Sequence, residues 1–143
     1  MAPLQDGIQP ADAIHRLADA GIIRAAAPLA SGQVQPASLD LRLGQRTFRV
    51  RASFLPGPSR TVRDRLDALA LHEIDLTREA VLETGCVYIA ELQESLSLPN
   101  GLSAAANPKS STGRIDVFTR VITDRSREFD TIEAGYEGPL YAE

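Results

Sequence analysis

The sequence has a single cysteine, no tryptophan and one methionine, and only 5% of its 143 residues are aromatic. One cysteine, Cys86, cannot form a disulfide within the chain, which excludes a disulfide-stapled secreted domain. No stretch approaches the roughly 18 uncharged apolar residues of a membrane-spanning helix, and the opening MAPLQDGIQP lacks a basic segment followed by an apolar run. These absences predict a cytoplasmic globular protein without membrane contact.

The sequence also has fewer basic residues than acidic residues. The 15 Lys and Arg residues are outnumbered by 19 Asp and Glu residues, which gives a formal net charge of -4. A broad basic face that follows a nucleic-acid backbone is therefore not expected. A small anionic ligand held by a few local cations is compatible with this balance.

Apolar periodicity predicts one short helix near the start of the chain. Between Pro10 and Ala20, the residues Ile14 and Leu17 recur on one helical face, and Gly21 follows where a C-terminal cap belongs. We assign residues 1–32 to an N-terminal helical segment and residues 33–143 to a separate β domain.

Alternation of apolar and polar residues starts after this segment and predicts short strands. Two half-buried strands are expected over residues 39–43 and 48–54, followed by a loop at PGPS and a brief helix from Val62 to Leu69. Further strand patterns lie in HEIDL, AVLETGCVYIAEL, SLSLPNGLSAAA, RIDVFTRVIT and GPLYAE. Many short strands separated by Gly and Pro turns favour an antiparallel sandwich or barrel.

The strand pattern also predicts that the parent protein is longer than this sequence, and it predicts which residues form the core. The sequence stops inside the strand PLYAE without a turn or polar tail, so we expect the parent protein to be longer. The residues predicted to be largely buried are Leu39, Leu41, Leu43, Val50, Val81, Val87, Ile89, Leu96, Val117 and Val121.

The segment NPKSSTGRIDV contains the strongest local signal for a binding site. Two adjacent hydroxyls, Ser110 and Ser111, lie between the cations Lys109 and Arg114, and Gly113 permits a tight turn. Hydroxyl and backbone N–H groups can donate to a phosphate chain while the cations offset its charge. By spacing alone the alternative stays open that Ser110 begins a short helix and the cations are solvated.

The second signal is the segment IEAGYEGPLYAE at the end of the chain. Gly135 and Gly138 flank Tyr136 in a predicted turn, and the strand that follows ends at Glu143. A carboxylate at a strand position beside apolar neighbours is costly to bury unless it is paired. Glu143 is therefore either part of a polar site or solvated.

Together and in this order, the two segments resemble the dCTP deaminase family, which has an Arg-Ser-Ser-x-x-Arg turn, a Gly-Trp-x-Gly turn and a strand ending in a catalytic Glu. Here they read KSSTGR and GYEGPLYAE, while QPASLDLRLG and VLETGCVYIAELQESLSLPNGL are similar to the family's early strand and central hairpin. The resemblance covers residues 33–143 and is closest to the longer alphaproteobacterial branch, in which further sequence follows. It implies a mainly β, dUTPase-like fold and hydrolysis of dCTP to dUTP and ammonia in dUTP and dTTP biosynthesis.

Position by position, the resemblance implies that Glu143 is the general base and that Ser111 and Arg114 hold water and stabilise charge. Lys109 stands where the family usually has Arg, which keeps the charge but loses a bidentate fork. Tyr136 replaces the usual Trp. The implied nucleotide-binding positions are Lys109, Ser110, Ser111, Thr112, Gly113, Arg114, Glu133, Tyr136, Tyr141 and Ala142.

The resemblance also implies which cofactors and partners to expect. Most base deaminases use zinc held by His-x-Glu and Pro-Cys-x-x-Cys motifs, but His15, His72 and Cys86 lie in unrelated segments and cannot form a three-ligand zinc site within one chain. Magnesium (Mg²⁺) is expected only as a partner of the nucleotide triphosphate. A homotrimer with sites at subunit boundaries is implied. The extra residues RSREFDT, where the family has a shorter link, leave that loop's shape open.

Two other functions remain open at this point. The first is a dUTPase-like pyrophosphatase on the same fold, which uses an Asp on a β-hairpin to activate water and has no need of Glu143. The second is a catalytically silent β-barrel module that acts only when joined to further sequence. Ammonia release from dCTP distinguishes the deaminase from both.

Overall fold

Within residues 6–143 the chain forms ten strands and three helices. In the computed structural model, which describes residues 6–143, the order is α1 (Ala11–Asp19), β1 (Ile23–Ala25), β2 (Val34–Gln35), β3 (Ser38–Leu39), β4 (Leu43–Val50), α2 (Val62–Leu69), β5 (Ala70–Asp75), β6 (Val87–Ser97), β7 (Ala104–Ala105), α3 (Ser110–Gly113), β8 (Val121–Thr123), β9 (Thr131–Ile132) and β10 (Glu137–Ala142). The prediction of a mainly β fold with few short helices is confirmed.

The long strand β6 lies at the centre of a six-stranded antiparallel sheet. Along one edge it pairs with β10, from Glu137 opposite Ser97 to Ala142 opposite Ala90. Its other edge is shared by β4 and β1, while β5 extends the sheet beyond β4 and β8 extends it beyond β10. The pairs β2–β3 and β7–β9 form separate two-stranded ladders. The end of β10 therefore lies between β6 and β8.

Both predicted helices are present. Pro10 is the N-cap of α1, Gly21 adopts φ +71° after its end, and Ile14 and Leu17 are buried. In α2, the side chain of Thr61 accepts from the Asp64 N–H and the Asp64 carboxylate accepts from the Thr61 N–H, which satisfies two free donors at the helix start. None of the helices within residues 6–143 is long and apolar enough to cross a bilayer.

The strand assignments were wrong in four places. Residues 40–42 are not in a strand, and β4 ends at Val50, so that Phe54 is buried from a loop. Residues 80–82 and 114–120 are also outside strands. Residues 40–42 are not in a ladder because the Arg42 N–H donates to the Glu94 carboxylate. At the start of β4, a Cβ on Gly44 would lie 2.8 Å from the Glu91 carbonyl oxygen, and the ladder between β4 and β6 is irregular. This irregularity shifts the phase of the alternation.

Among the described residues the core consists of two clusters on opposite faces of β10. Leu140 packs with one cluster and its neighbour Tyr141 with the other, as the alternation of a strand requires. The larger cluster comprises Phe48, Val50, Phe54, Val62, Leu66, Ile89, Ile122 and Tyr141, and the smaller comprises Leu96, Leu98, Ile132 and Leu140. The sheet between them fixes the position of the β10 end.

The core prediction is only partly confirmed. Three of the predicted residues are buried (Val50, Ile89 and Leu96), and four are half-buried (Leu39, Leu41, Val87 and Val121). Three others were wrong: Leu43 is 53% exposed, Val81 79% and Val117 45%. Leu43 lies at the irregular ladder, and Val81 and Val117 lie in the two segments that form no strand.

Replacing Ile122 with Val tests the assignment of the core. Ile122 lies in β8 and is fully buried in the larger cluster. Removing one methylene there should lower the free energy of unfolding by about 0.5–1.5 kcal/mol, measured by urea denaturation. The same change at the exposed Ile8 is the control and should have no measurable effect. Equal effects at both positions would contradict the assignment.

Candidate active site

Glu143 follows β10 and faces Arg120, the residue before β8. The Glu143 N–H donates to the Arg120 carbonyl at 2.8 Å, and the Arg120 N–H donates to the Glu143 carbonyl at 3.0 Å. The carboxylate side chain is only 9% exposed. Glu143 is therefore held against the sheet and is not solvated.

The two oxygens of this carboxylate have different surroundings. Arg120 donates from Nε at 3.2 Å, and also from Nη2, to the same oxygen, Oε1. The other oxygen, Oε2, is buried and has no hydrogen-bond partner within residues 6–143. A buried acceptor of this kind is ready to take a donor from a bound molecule.

The guanidinium of Arg120 has two further contacts. Its Nη2 donates to the Ser53 hydroxyl at 3.1 Å, and its central carbon lies 3.8 Å from the centre of the Phe129 ring. The sequence motifs gave no sign of Arg120, Ser53 or Phe129. The only available signal was the alternation in RVIT, which predicts a strand that could pair with the strand ending at Glu143.

The predicted turn before β10 is present, and hydrogen bonds of the Tyr136 side chain stabilise it. Its hydroxyl donates to the Pro139 carbonyl at 2.6 Å and accepts from the Asp124 N–H at 3.2 Å. A Cβ on Gly138 would lie 2.6 Å from this hydroxyl oxygen, so a larger residue would displace the ring. Tyr136 thus ties the end of β8 to the start of β10. Glu133, just before the turn, is exposed.

The side chain of Tyr141 is buried in the larger core cluster, while Ala142 is half-buried beside it. Burial raises the pKa of both Tyr141 and Tyr136 to about 12, and the carboxylate of Asp124 adds to the effect at Tyr141. Both phenols are therefore neutral hydrogen-bonding groups at neutral pH.

These raised pKa values predict a loss of stability in alkali. Between about pH 10 and 12 the phenol of an unfolded tyrosine loses its proton while a buried one keeps it, so the free energy of unfolding falls as pH rises. For Tyr141 the slope reaches about 1.4 kcal/mol per pH unit. Urea unfolding of a Tyr141→Phe variant from pH 9 to about 12 should show a shallower decline. An unchanged decline would show that Tyr141 is not the source.

In the predicted phosphate-binding segment, Ser110 begins a very short helix, α3, as the alternative interpretation of this segment predicted, but Lys109 is ion-paired and not simply solvated. Thr112 and Gly113 donate their N–H groups to the Lys109 carbonyl at 3.0 and 3.3 Å. The Lys109 ammonium forms an ion pair with Asp40. The hydroxyls of Ser110 and Ser111 are exposed and have no hydrogen bond to any residue in the described part of the chain.

The predicted site residues fall into two groups that no hydrogen bond or ion pair among the described residues joins. Arg114 is exposed and, across residues 6–143, no hydrogen bond or ion pair links the 109–114 segment to the 133–143 segment. The second group lies on one hairpin that carries Glu133, Tyr136, Tyr141, Ala142 and Glu143. Among the described residues no three His, Cys, Asp or Glu side chains are grouped as ligands for a metal ion.

Comparison with known proteins gives consistent results. The family model of the 2'-deoxycytidine 5'-triphosphate deaminase N-terminal domain matches residues 5–143. The crystal structure of 2'-deoxycytidine 5'-triphosphate deaminase from Agrobacterium tumefaciens is 60% identical with a TM-score of 0.92, and the match covers 95% of this chain and 40% of that chain. This similarity confirms the predicted β fold.

Two dCTP deaminases of known sequence are more distant. The protein from Halorubrum lacusprofundi is 26% identical over 137 residues, which cover 95% of this chain and 64% of that protein. The protein from Histophilus somni is 30% identical over 137 residues, which cover 91% and 68% respectively. The chain thus spans about two thirds of the length of these two proteins and 40% of the Agrobacterium tumefaciens chain. Since the family model accounts for almost every residue, the chain belongs to the 2'-deoxycytidine 5'-triphosphate deaminase N-terminal domain family.

Proposed function

We propose that this chain deaminates dCTP to dUTP and ammonia, as a hydrolase acting on the C–N bond of a cyclic amidine in dUTP and dTTP biosynthesis. The observation that carries the proposal is the state of Glu143. Its carboxylate is nearly buried, with one oxygen held by Arg120 and the other buried without a partner. Family membership and the names of the relatives support the choice of substrate.

In the proposed reaction, Glu143 moves protons between water and the leaving amine. Oε2 takes one proton from water as the water oxygen bonds to C4 of the cytosine ring and the C4=N3 double bond opens. The carboxylic acid then returns that proton to the amine, and the second water proton moves from the new hydroxyl to N3 as C4=O forms. The bond from C4 to the exocyclic nitrogen breaks, and ammonia leaves. Ser111 and Arg114 would hold the water and stabilise the charge that develops.

The segment 109–114 is the proposed cradle for the triphosphate. Its serine hydroxyls and the Arg114 guanidinium are exposed and are not engaged by other described residues, so they are accessible to phosphate oxygens. The ammonium of Lys109 already has a carboxylate partner in Asp40 and would have to be shared. Magnesium would accompany the triphosphate as part of the substrate, held largely by phosphate oxygens and water.

A homotrimer is the proposed assembly because it would bring the two groups of site residues together across a subunit boundary. Directly after the cradle, three apolar side chains are exposed, with Phe118 at 83%. An exposed apolar run of this kind is expected to be covered by another chain. The three are Ile115, Val117 and Phe118. In this arrangement the cradle of one copy and the β10 end of another would meet one nucleotide, and we place the enzyme in the cytoplasm.

The product of the reaction tests the proposal directly. The chain is incubated with dCTP and with dUTP in separate reactions, and ammonia and pyrophosphate are measured in each. Ammonia from dCTP is the expected result. Pyrophosphate without ammonia would replace the deaminase with a pyrophosphatase on the same fold. Binding of dCTP by calorimetry with neither product would indicate a silent module.

A further inference from the structure

The pairing of Arg120 with Glu143 leaves one carboxylate oxygen free. The two residues exchange both backbone hydrogen bonds, so their side chains lie on the same face of the sheet. Two guanidinium nitrogens donate to Oε1, and none donates to Oε2. A parallel fork would have occupied both oxygens. The observed contact instead fixes the rotation of the carboxylate and leaves Oε2 available.

Arg120 is itself held on its other side by an aromatic ring. The Phe129 ring centre lies 3.8 Å from the guanidinium carbon, a distance at which the face of the ring attracts the cation. Phe129 also packs against the larger core cluster. The half-buried ring therefore restricts the guanidinium from a position packed against the core.

Hydrogen bonds of Asp130 hold the chain around Phe129 next to Arg120. The Asp130 N–H donates to the Val121 carbonyl at 2.9 Å, and the Asp130 carboxylate accepts from the Val121 N–H at 2.7 Å. The Asp130 carbonyl accepts from the Ala106 N–H at 2.8 Å. Because Val121 directly follows Arg120 in sequence, these hydrogen bonds hold the Phe129 ring and the Arg120 guanidinium next to each other.

We propose that Arg120 is a positioning residue for Glu143, and that the 125–131 segment acts as a brace that keeps Arg120 in place through Phe129. The proposal rests on the proposed role of Glu143 as the proton shuttle. It gives a function to the RSREFDT segment, which no motif explained. Arg120 acts through the orientation of the carboxylate, so its loss should affect turnover more than nucleotide binding.

Steady-state kinetics on the full chain with dCTP test this role. Arg120→Met should lower kcat about 10²-fold with KM changed by less than about threefold, because a misplaced reacting group loses rate and not binding. Arg120→Lys, which retains the charge, should recover part of kcat. Phe129→Leu should lower kcat about threefold to fivefold, as expected for the loss of one cation–π contact. Arg127→Met, an exposed change in the same segment, is the matched control.

Two further results separate this proposal from the function it rests on. The double variant Arg120→Met with Phe129→Leu should be no slower than Arg120→Met alone, since the ring acts only through the guanidinium. If the Arg120 and Phe129 variants have the same kcat as Arg127→Met while Glu143→Gln is inactive, the brace is overturned and the deaminase function stands. Retained activity in Glu143→Gln would overturn the deaminase mechanism itself.

A spectroscopic measurement tests the brace independently of turnover. In the folded chain, the Nε–H resonance of Arg120 should be shifted by the ring above it and by the carboxylate it donates to. Phe129→Leu and Glu143→Gln should each move that resonance, and Arg127→Met should not. A resonance unchanged by Phe129→Leu would overturn the proposal even in a chain that does not turn over dCTP.

Discussion

Replacing Glu143 with Gln is expected to reduce ammonia release from dCTP by about 10²- to 10⁴-fold, the usual contribution of a positioned general acid–base group. The amide has nearly the same size and keeps the backbone pairing with Arg120, but it cannot accept a proton from water. The measurement is kcat with saturating dCTP, together with the affinity for dCTP. Binding should be largely retained, because the cradle at 109–114 is unchanged.

Glu137→Gln provides the matched control. Glu137 begins the same strand but is exposed and has no side-chain hydrogen bond or ion pair within the described chain. Its loss should leave kcat within about twofold of the unmodified chain. Thermal unfolding of both variants shows whether the fold is preserved. Glu143→Gln activity within about threefold of the unmodified chain would contradict the role of this carboxylate, since even weak general acid–base catalysis contributes about 10²-fold.

The β10 strand and its turn could be predicted from the sequence because their signals are local. Gly135 and Gly138 mark the turn, and the residues that follow alternate between two core clusters. The partner of Glu143 could not be predicted, because the connection from Asp124 to Tyr136 is long and does not fix the register of the hairpin. A shift of one residue would have placed Arg120 on the other face.

The errors in the core prediction have a related cause. Apolar character indicates that a side chain is buried, but it does not show whether its own chain or a second chain covers it. Val117 lies in an exposed apolar run, where a second chain would bury it under the proposed trimer, and a prediction limited to one chain assigns it to the core. Leu43 was misplaced because Gly44 comes close to the backbone of β6, an effect of three-dimensional contact that alternation does not encode.

The buried carboxylate of Glu94 carries the largest expected effect on stability. It lies in the central strand β6 with its side chain fully buried. Its oxygens accept from the Gln33 side chain and from Nε and the backbone N–H of Arg42, each at 2.8 Å. The Arg42 guanidinium also donates to the Ala27 and Pro28 carbonyls at 3.0 Å. One carboxylate thus organises the segment that connects β1 to β4.

Replacing Glu94 with Ala should lower the free energy of unfolding by about 3 kcal/mol or more, because it leaves the half-buried Arg42 guanidinium without its counter-charge and the buried Gln33 amide without an acceptor. Urea denaturation measures this difference. The control is Glu83→Ala, which removes an ion pair with Arg49. The Glu83 side chain is 60% exposed, so its loss should lower the free energy of unfolding by less than about 1 kcal/mol. If the two variants were destabilised equally, the Glu94 network would not be what holds the β1 to β4 connection on the sheet. A large loss confined to Glu94 would mean that this connection depends on a polar core formed by residues far apart in sequence.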